Sequence, residues 1–313
     1  LGLKGLKYKL NVGVNKYTRR NYNYAVPYVF SSTSQNPNYS LSESTSWEND
    51  WLVENTINYD NTFGKHMVSA LAGYSAQRNE SRGFGAGRLN MPEGLMTIGA
   101  GQTDGQTTSG SAWANSMVSI FGRVMYTFDD RYMLTASIRR DGSSKFADGH
   151  RWGTFPSASI GWNVMNEKFF ENAKKVMNEL KIRASYGVLG NLNGIGNYAT
   201  QSTVRTGFNN MVGNSLWVGN ITGSSWVSPS NVTWEKTKTT NIGLDMAFLN
   251  NKLTIGADYF IQKTEDMLLG MPQPASFGLS GSPTVNAGTV ENKGFELSIN
   301  HRNNVGELYY HVG

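Results

Sequence analysis

The chain has 313 residues and combines 35 glycines with 15 Tyr, 14 Phe and 8 Trp, a mixture that suits curved strands, turns and aromatic girdles. It contains no cysteine, which excludes disulfides, thiolate nucleophiles and thiolate metal ligands. The 28 Lys and Arg and the 23 Asp and Glu are spread along the chain, so the basic block of a nucleic-acid-binding protein is missing. No run approaches the roughly 18 apolar residues of a transmembrane helix.

The first third of the chain predicts three strands and two long loops. Apolar and polar residues alternate over residues 6–14, over 47–60 and, more weakly, over 68–74. The polar segment 15–46, which contains two prolines, and the segment 82–115, rich in Gly, Thr and Ser, are predicted to be long loops. A short turn would join the second strand to the third.

Three further strands within residues 116–164 carry the clearest pattern. In the second of them the apolar residues Tyr132, Leu134, Ala136 and Ile138 alternate with Arg131, Thr135, Ser137 and Arg139. Because side chains alternate faces along a strand, this period of two gives one apolar and one wet surface. Strands of about ten residues, joined alternately by tight turns and long loops, are typical of an outer-membrane β-barrel.

The remainder of the chain repeats this pattern. Residues 167–175 predict a short amphipathic helix in place of a tight turn, and 189–231 is the longest irregular segment. Further strands are predicted at 180–188, 242–248, 253–262, 295–300 and from 307 onward. About eleven strands result, with long and short connections in alternation. Aromatic residues beside the short turns (Tyr126, Phe128, Tyr132 and Phe248) stand where a membrane-interface girdle belongs.

A soluble β-sandwich is the main alternative fold, because it also alternates apolar and polar residues. Its loops are not expected to be long at one end only, and its turns would not attract aromatic residues. We therefore predict an all-β protein, a transmembrane antiparallel β-barrel, with residues 1–313 all part of the barrel domain. Residues 1–6 are not a signal peptide and the last strand is cut off, so the chain is expected to be an internal piece of a longer protein.

Several distinctive blocks lie in order between about residues 116 and 300. They are Phe121-Gly122-Arg123-Val124, Tyr132-Met133-Leu134-Thr135-Ala136, Arg140-Asp141-Gly142-Ser143-Ser144, Arg151-Trp152-Gly153-Thr154-Phe155-Pro156-Ser157, Ala184-Ser185-Tyr186-Gly187 with Gly190-Asn191, Trp234-Glu235-Lys236-Thr237, Asn241-Ile242-Gly243, Asn286-Ala287-Gly288 and Asn292-Lys293-Gly294-Phe295-Glu296. Together these blocks resemble the central barrel of the SusC/RagA-type TonB-dependent transporters. Residues 1–115 fit the same architecture without a diagnostic block.

The resemblance implies a barrel of about 22 strands with a plugged lumen, of which this chain would supply roughly half. It also implies active import across the outer membrane of a Gram-negative, Bacteroidetes-like bacterium, with a SusD-like surface lipoprotein as a lid. The TonB complex would act through an N-terminal part that this chain lacks. The cargo would be a polar oligomer, an oligosaccharide or alternatively a peptide. A non-energised structural or adhesive barrel is the alternative, and an outer-membrane lipase is a distant third.

No catalytic residue, metal site or cofactor is predicted. The four histidines are far apart in sequence, and none has the spacing of a metal-ligand motif. Aromatic residues in predicted external loops are candidates for binding a glycan or a protein partner: Trp113, Tyr198, Phe208, Trp217 and Trp226. Packing of the loops against themselves is the third alternative.

Charged residues give two further hypotheses. Arg139 and Asp141 lie on the polar face near the external end, where they would help to line the route of a polar solute. The favoured interpretation of the polar-face charges, however, is that they bond one another and a plug. Lys236 and Lys238 lie on the opposite face, close to a loop, where they would meet outer-membrane lipid and lipopolysaccharide phosphates.

Overall fold

The structure is a computed structural model that describes residues 4–201, 204–212, 215–222, 229–274, 276 and 282–313. Its strands are β1 (Leu6–Ala25), β2 (Tyr28–Val29), β3 (Gln35–Asn36), β4 (Ser40–Phe63), β5 (His66–Leu89), β6 (Thr107–Phe128), β7 (Tyr132–Ser143), β8 (Trp152–Asn163), β9 (Met177–Asn191), β10 (Val204–Val212), β11 (Ser215–Thr222), β12 (Glu235–Phe248), β13 (Leu253–Glu265), β14 (Leu268–Gly270), β15 (Thr284–Asn286), β16 (Thr289–Val305) and β17 (Leu308–Val312). Three short 3₁₀ helices cover Ile98–Ala100, Val164–Asn166 and Lys168–Lys175.

Within these described residues, eleven strands form one antiparallel sheet in the order β1-β4-β5-β6-β7-β8-β9-β12-β13-β16-β17. Each strand of this sheet pairs with the next one of the sheet along the chain. The remaining strands form three separate two-stranded hairpins, β2-β3, β10-β11 and β14-β15. The predicted all-β fold with about eleven strands is therefore confirmed.

The connections alternate in length, as the sequence predicts. At one end the strands are joined by tight turns, for which Asp129, Asp130, Leu249, Asn250 and Asn251 adopt positive φ between 53° and 62°. At this same end the two 3₁₀ helices between Val164 and Lys175 replace one tight turn, so the predicted helix exists but has the 3₁₀ form. At the other end the connections are long. We refer to these as the short-turn end and the long-loop end.

Strands of the first third are much longer than predicted. β4 and β5 contain 24 residues each, β6 contains 22 and β1 contains 20, so most of the predicted loops 15–46 and 82–115 is strand. A bilayer crossing needs only about 9–11 strand residues. The added parts are rich in Ser, Thr, Asn and Gly, and both of their faces are polar. Backbone hydrogen bonds to the neighbouring strands therefore hold these parts in the sheet. Such bonds cannot be predicted from the alternation of apolar and polar residues.

Two compact units can be distinguished by their internal contacts. One comprises residues 1–10, 54–75 and 118–313, and the other comprises 11–53 and 76–117. In the second unit Leu41 and Met91 are buried, Tyr24 stacks on Tyr39 with ring centroids 5.9 Å apart, and Arg20 pairs with Glu43 at 2.7 Å.

Side chains of the first unit follow the predicted alternation. Large apolar residues on one face of the sheet are exposed, including Leu134 (46 %), Ile160 (59 %), Ile182 (41 %) and Ile242 (57 %), and Leu244 is half-buried. Among the described residues no second large sheet covers this face, which contradicts the β-sandwich alternative. A surface so rich in apolar side chains marks a membrane or protein interface. No helix in the described ranges is long and apolar enough to span a membrane.

Candidate functional site: the polar face and the loop anchor

The polar face of the sheet carries a network of paired charges centred on Arg183 in β9. Its Nε donates to Asp245 Oδ2 at 3.1 Å, and its Nη2 donates to Asp258 Oδ2 at 2.7 Å. A third hydrogen bond, from Nη1 to Asn241 Oδ1, measures 3.3 Å. The guanidinium group thus bridges three adjacent strands, β9, β12 and β13. Sequence alternation places each of these residues on this face, but only the register brings them together.

Glycine at position 243 makes room for this network. Gly243 pairs with Arg183 on one side and with Asp258 on the other. A Cβ atom at this position would lie 2.5 Å from Arg183 Cζ and 2.7 Å from Asp258 Oδ1. Such contacts are far inside van der Waals distance, so any side chain at position 243 would displace the guanidinium group.

Arg139 and Asp141 form a second charged pair on the polar face, nearer the long-loop end. Arg139 Nε lies 2.8 Å from both carboxylate oxygens of Asp141, and its Nη2 donates to Ser119 Oγ at 2.9 Å. The guanidinium also lies over the ring of Phe121, 5.4 Å from its centroid. Asp141 is buried, whereas Arg139 is partly exposed. The two predicted residues therefore act as one group, with the arginine as its accessible part.

A compact apolar cluster at the long-loop end, which we call the loop anchor, was not predicted from the sequence. Its members are the buried side chains Phe146, Phe155, Ile195, Val232, Trp234 and Leu268. The ring of Trp234 contacts Phe146 and Phe155, with centroids 5.2 Å and 5.4 Å apart. The members come from β8, from the start of β14 and from the connections that follow β7 and β9. One cluster therefore ties several long loops to the sheet.

Hydrogen bonds close the loop anchor. Trp234 Nε1 donates to the carbonyl of Arg151 at 3.0 Å, and Lys145 Nζ donates to the carbonyl of Ile195 at 3.1 Å. Asn286 Nδ2 donates to the carbonyl of Thr233 at 2.9 Å. The polar groups of Trp234, Lys145 and Asn286 are thus paired, as a stable core requires.

The loop anchor also explains several of the distinctive sequence blocks. Phe155, Trp234 and Asn286 each belong to one, and Gly190 belongs to another. The ring of Phe155 lies next to Gly190, where a Cβ atom would overlap it. These blocks therefore contained the sequence evidence for this core, although we did not predict that their residues pack against one another.

The aromatic candidates of the predicted loops lie in different places. Trp113 is half-buried in β6 rather than in a loop, because β6 begins at Thr107. Tyr198 lies in a turn with φ of 62° and is exposed. Phe208 and Trp217 lie in the β10-β11 hairpin, a correction to the predicted irregular segment, with Asn210 opposite Trp217. Trp226 lies outside the described residues.

The short-turn end carries the predicted aromatic girdle. Phe128 stacks on Tyr132, which stacks on Trp162, with centroids 6.4 Å and 6.5 Å apart. Glu167, in the connection between β8 and β9, accepts hydrogen bonds from Tyr132 at 2.6 Å, from Trp162 at 3.2 Å and from Arg131 at 3.1 Å. These bonds, first of all the one from Tyr132, hold the pKa of Glu167 below its usual range.

No group of three or more His, Asp or Glu side chains within the described residues has the geometry to hold a metal ion. Charged side chains of the polar face instead pair with one another at Arg183 and at Arg139. Chemically, this arrangement provides a hydrated, mixed-sign surface, with the anchored loops at one end of it.

Comparison with known proteins identifies this architecture. The family model described as TonB dependent receptor-like, beta-barrel, matches residues 3–312. TonB-dependent receptor P3 of Formosa agariphila is 36 % identical over 80 % of this chain and 25 % of its own length. TonB-dependent receptor SusC of Bacteroides thetaiotaomicron is 32 % identical over 78 % of this chain and 24 % of its own length.

Solved structures agree with these matches. The RagAB peptide transporter is similar with a TM-score of 0.86 and 26 % identity, over 97 % of this chain and 33 % of that chain. Its 'closed-closed' state gives a TM-score of 0.87 at 26 % identity, over 98 % and 33 %. The chain thus spans about a quarter of the curated relatives and a third of these structures. It belongs to the TonB-dependent receptor β-barrel family, as an outer-membrane barrel segment of the SusC/RagA type.

Proposed function

We propose that residues 1–313 form part of the barrel wall of an importer that moves a polar oligomer across the outer membrane. The observation that carries this proposal is the polar face, where the Arg183 network and the Arg139–Asp141 pair line the side of the sheet that faces the interior of a barrel. Barrel interiors with such polar linings are hydrated, and passage of a polar solute requires that hydration. The protein moves its cargo without changing it, so it is not an enzyme.

The cargo is an oligosaccharide or a peptide. RagAB, which is similar to this chain, is a peptide transporter, and this favours peptides as the first class to test. The mixed charges of the polar face suit either class, because oligosaccharides offer hydroxyl groups and peptides offer charged ends to the same donors and acceptors. Arg139 supplies the accessible donor at the long-loop end.

Two partners complete the proposal. A SusD-like lipoprotein covers the long-loop end as a lid, and the TonB complex supplies energy through a part of the protein outside residues 1–313. The aromatic candidates Trp113, Tyr198, Phe208, Trp217 and Trp226 contact the lid or the cargo. The anchor supports this role, because loops that are tied to the sheet can present a defined surface to a partner.

Uptake by the full-length protein tests the proposal. A strain that lacks the gene, complemented with the natural gene, would be given labelled oligopeptides and oligosaccharides, with and without TonB and with and without a protonophore. We expect accumulation of one cargo class that requires both TonB and the proton gradient, and recovery of the cargo chemically unchanged. TonB-independent passage, or none of either class, would favour the non-energised structural or adhesive barrel.

Single substitutions in β7 and β8 separate the site from the fold. Alanine at Arg139 should reduce uptake by about tenfold, because loss of one charge-assisted hydrogen bond to cargo is worth roughly 1.5–3 kcal/mol. Alanine at Trp152, an exposed residue on the apolar face, is the matched control and should leave uptake unchanged. Co-purification of a lipoprotein with the natural protein tests the lid.

A further inference from the structure

Four lysines lie together on the apolar face of the sheet at the long-loop end. This lysine cluster consists of Lys236 and Lys238 in β12, Lys263 in β13 and Lys293 in β16, together with the acidic residues Glu265 and Glu291. Lys238 lies directly opposite Lys263, Lys263 opposite Glu291, and Lys293 opposite Ile261. Each of these residues is an even number of positions from Ile242, Tyr259 or Phe295, so they share the face of those apolar residues.

The height of the cluster on the sheet matches the edge of the hydrocarbon layer. Lys238 precedes Phe248, at the short-turn end, by ten residues, which is roughly 34 Å along an antiparallel strand. At the usual tilt of about 40°, this is roughly 26 Å along the membrane normal, and the apolar band of an outer-membrane barrel is about 25 Å tall. Lys238 and Lys263 therefore stand at the external boundary of the acyl chains, where lipid headgroups lie.

Charge and geometry make the cluster receptive to an anion. Four lysines, two glutamates and the neighbouring Asp266, which interacts electrostatically with Lys238, leave a net charge of +1 on this patch. Lys238 Nζ and Lys263 Nζ both bind the carboxylate of Glu265, the second at 2.8 Å, and Lys293 Nζ binds Glu291 at 2.9 Å. The side chains of Lys263 and Lys293 remain 44 % and 59 % exposed. Each ammonium group has three donors, so bonds to one carboxylate leave donors available.

Glu265 has a specific part in this arrangement. Like charges directly opposite one another on neighbouring strands repel, and Lys238 and Lys263 are such a pair. A single carboxylate between them holds the two ammonium groups close together. Two fixed, adjacent ammonium groups match the several oxygens of a phosphate better than two separate lysines would.

The other end of the same face shows the contrast. The corresponding strand positions at the short-turn end are Phe248, Leu253 and His301, which lie opposite one another in the register. The lysine cluster is therefore found at only one of the two membrane boundaries of β12, β13 and β16. An asymmetric bilayer, with its phosphorylated glycolipid on the external side, fits this asymmetry.

We propose that the lysine cluster binds the phosphate of an anionic lipid headgroup in the outer leaflet, with Lys238 and Lys263 as the central donors and Lys236 and Lys293 beside them. The acyl chains of that lipid lie below it, against Tyr186 and Ile261. This site is independent of the cargo and of the energy source of import.

Lipid binding to the purified full-length protein tests this site. Native mass spectrometry in detergent would measure the affinity of the protein for diphosphorylated lipid A and for the same lipid with its phosphates removed. It would also measure whether inorganic phosphate competes with lipid A. The variant K236Q/K238Q/K263Q should bind diphosphorylated lipid A at least about tenfold more weakly, because each lysine near an anionic lipid surface contributes on the order of a fivefold gain. The natural protein should bind the dephosphorylated lipid as weakly as this variant does.

Two further variants keep the test decisive. K168Q/K174Q/K252Q removes three exposed lysines near the short-turn end and should bind like the natural protein. K236R/K238R/K263R should retain binding, which separates loss of charge from loss of fold. Equal binding by the glutamine variant and the natural protein would overturn the site, as would an equal loss in the short-turn control or tight binding of the dephosphorylated lipid. Displacement of lipid A by inorganic phosphate would assign the site to free phosphate and overturn the lipid assignment.

Discussion

The membrane-facing strands and the loop anchor belong to the same unit of the chain, yet they place large apolar side chains in opposite surroundings. Ile242 in β12 is 57 % exposed on the apolar face, whereas Trp234, just before the same strand, is 2 % exposed inside the anchor. The strands depend on their backbone ladders and on lipid to cover their apolar side chains. The anchor depends on dense side-chain packing, as a soluble core does. Substitutions should therefore destabilise the two regions for different physical reasons.

Trp234→Ala should give the largest effect, because it removes the central ring of the anchor. Truncation of a buried tryptophan typically costs about 3–5 kcal/mol, and the carbonyl of Arg151 would also lose its donor. We expect the long loops to become sensitive to protease while the barrel still inserts. Trp152→Ala, at an exposed tryptophan that begins β8, is the control. Equal protease resistance in both variants would contradict the anchor.

Leu134→Arg should give the next largest effect, because it places a charge in the apolar band. A basic residue at the bilayer midplane costs about 2–4 kcal/mol. Urea titration of the full-length protein in lipid vesicles would measure this loss. Thr135→Arg, at the neighbouring position on the polar face, should cost less. If the two variants were equally stable, Leu134 would not face lipid.

Gly243→Ala tests packing on the polar face of the strands, whereas Leu134→Arg tests their apolar face. The new methyl group would collide with Arg183 Cζ, and overpacking of this kind costs about 1–3 kcal/mol. Gly161→Ala on the same face is the control, because its methyl group would lie 3.5 Å from Lys181 Cε, an ordinary contact. A stability difference between the two variants supports the network, and its absence would show that Arg183 has room to move.

The pH dependence of stability should give the smallest effect. The pKa of Glu167 is lowered in the folded protein, so its ionised form stabilises the fold at pH values above the unfolded pKa of about 4.3. That contribution is lost as the pH falls through the lower folded pKa. Glu167→Gln should therefore be less stable than the natural protein at pH 7, and the two should converge in acid. A difference that grows in acid would contradict the lowered pKa.

The sequence predicted those parts of the fold in which one face is apolar and the other polar. Strands such as β7 and β13, the tight turns and the aromatic residues near them follow from this local alternation. The extended parts of β1, β4, β5 and β6 did not, because strands with two polar faces carry no such period. The β10-β11 hairpin was missed for the same reason, since it lies in a segment without alternation.

The candidate site was predictable to a similar degree. Arg139 and Asp141 are two positions apart on one strand, so their proximity follows from the strand itself. The bond between Arg183 and Asp258 depends on the register of three strands, over 75 positions in the sequence. The loop anchor joins Phe146 to Trp234 and Leu268 across long connections. Contacts of this kind cannot be predicted from local sequence patterns, even where the residues belong to distinctive sequence blocks.

The register between β12 and β13 has a consequence for how such a protein can change. Thirteen residue pairs, from Lys236 opposite Glu265 to Phe248 opposite Leu253, follow one another without a bulge. Insertion of a single residue there would move every later side chain of that strand to the opposite face of the sheet. Apolar side chains would then face water, and polar side chains would face hydrocarbon. Lengthening is therefore tolerable only beyond the ladder, in the long connections. Sequence changes can accumulate in those connections while the membrane-crossing part keeps its spacing.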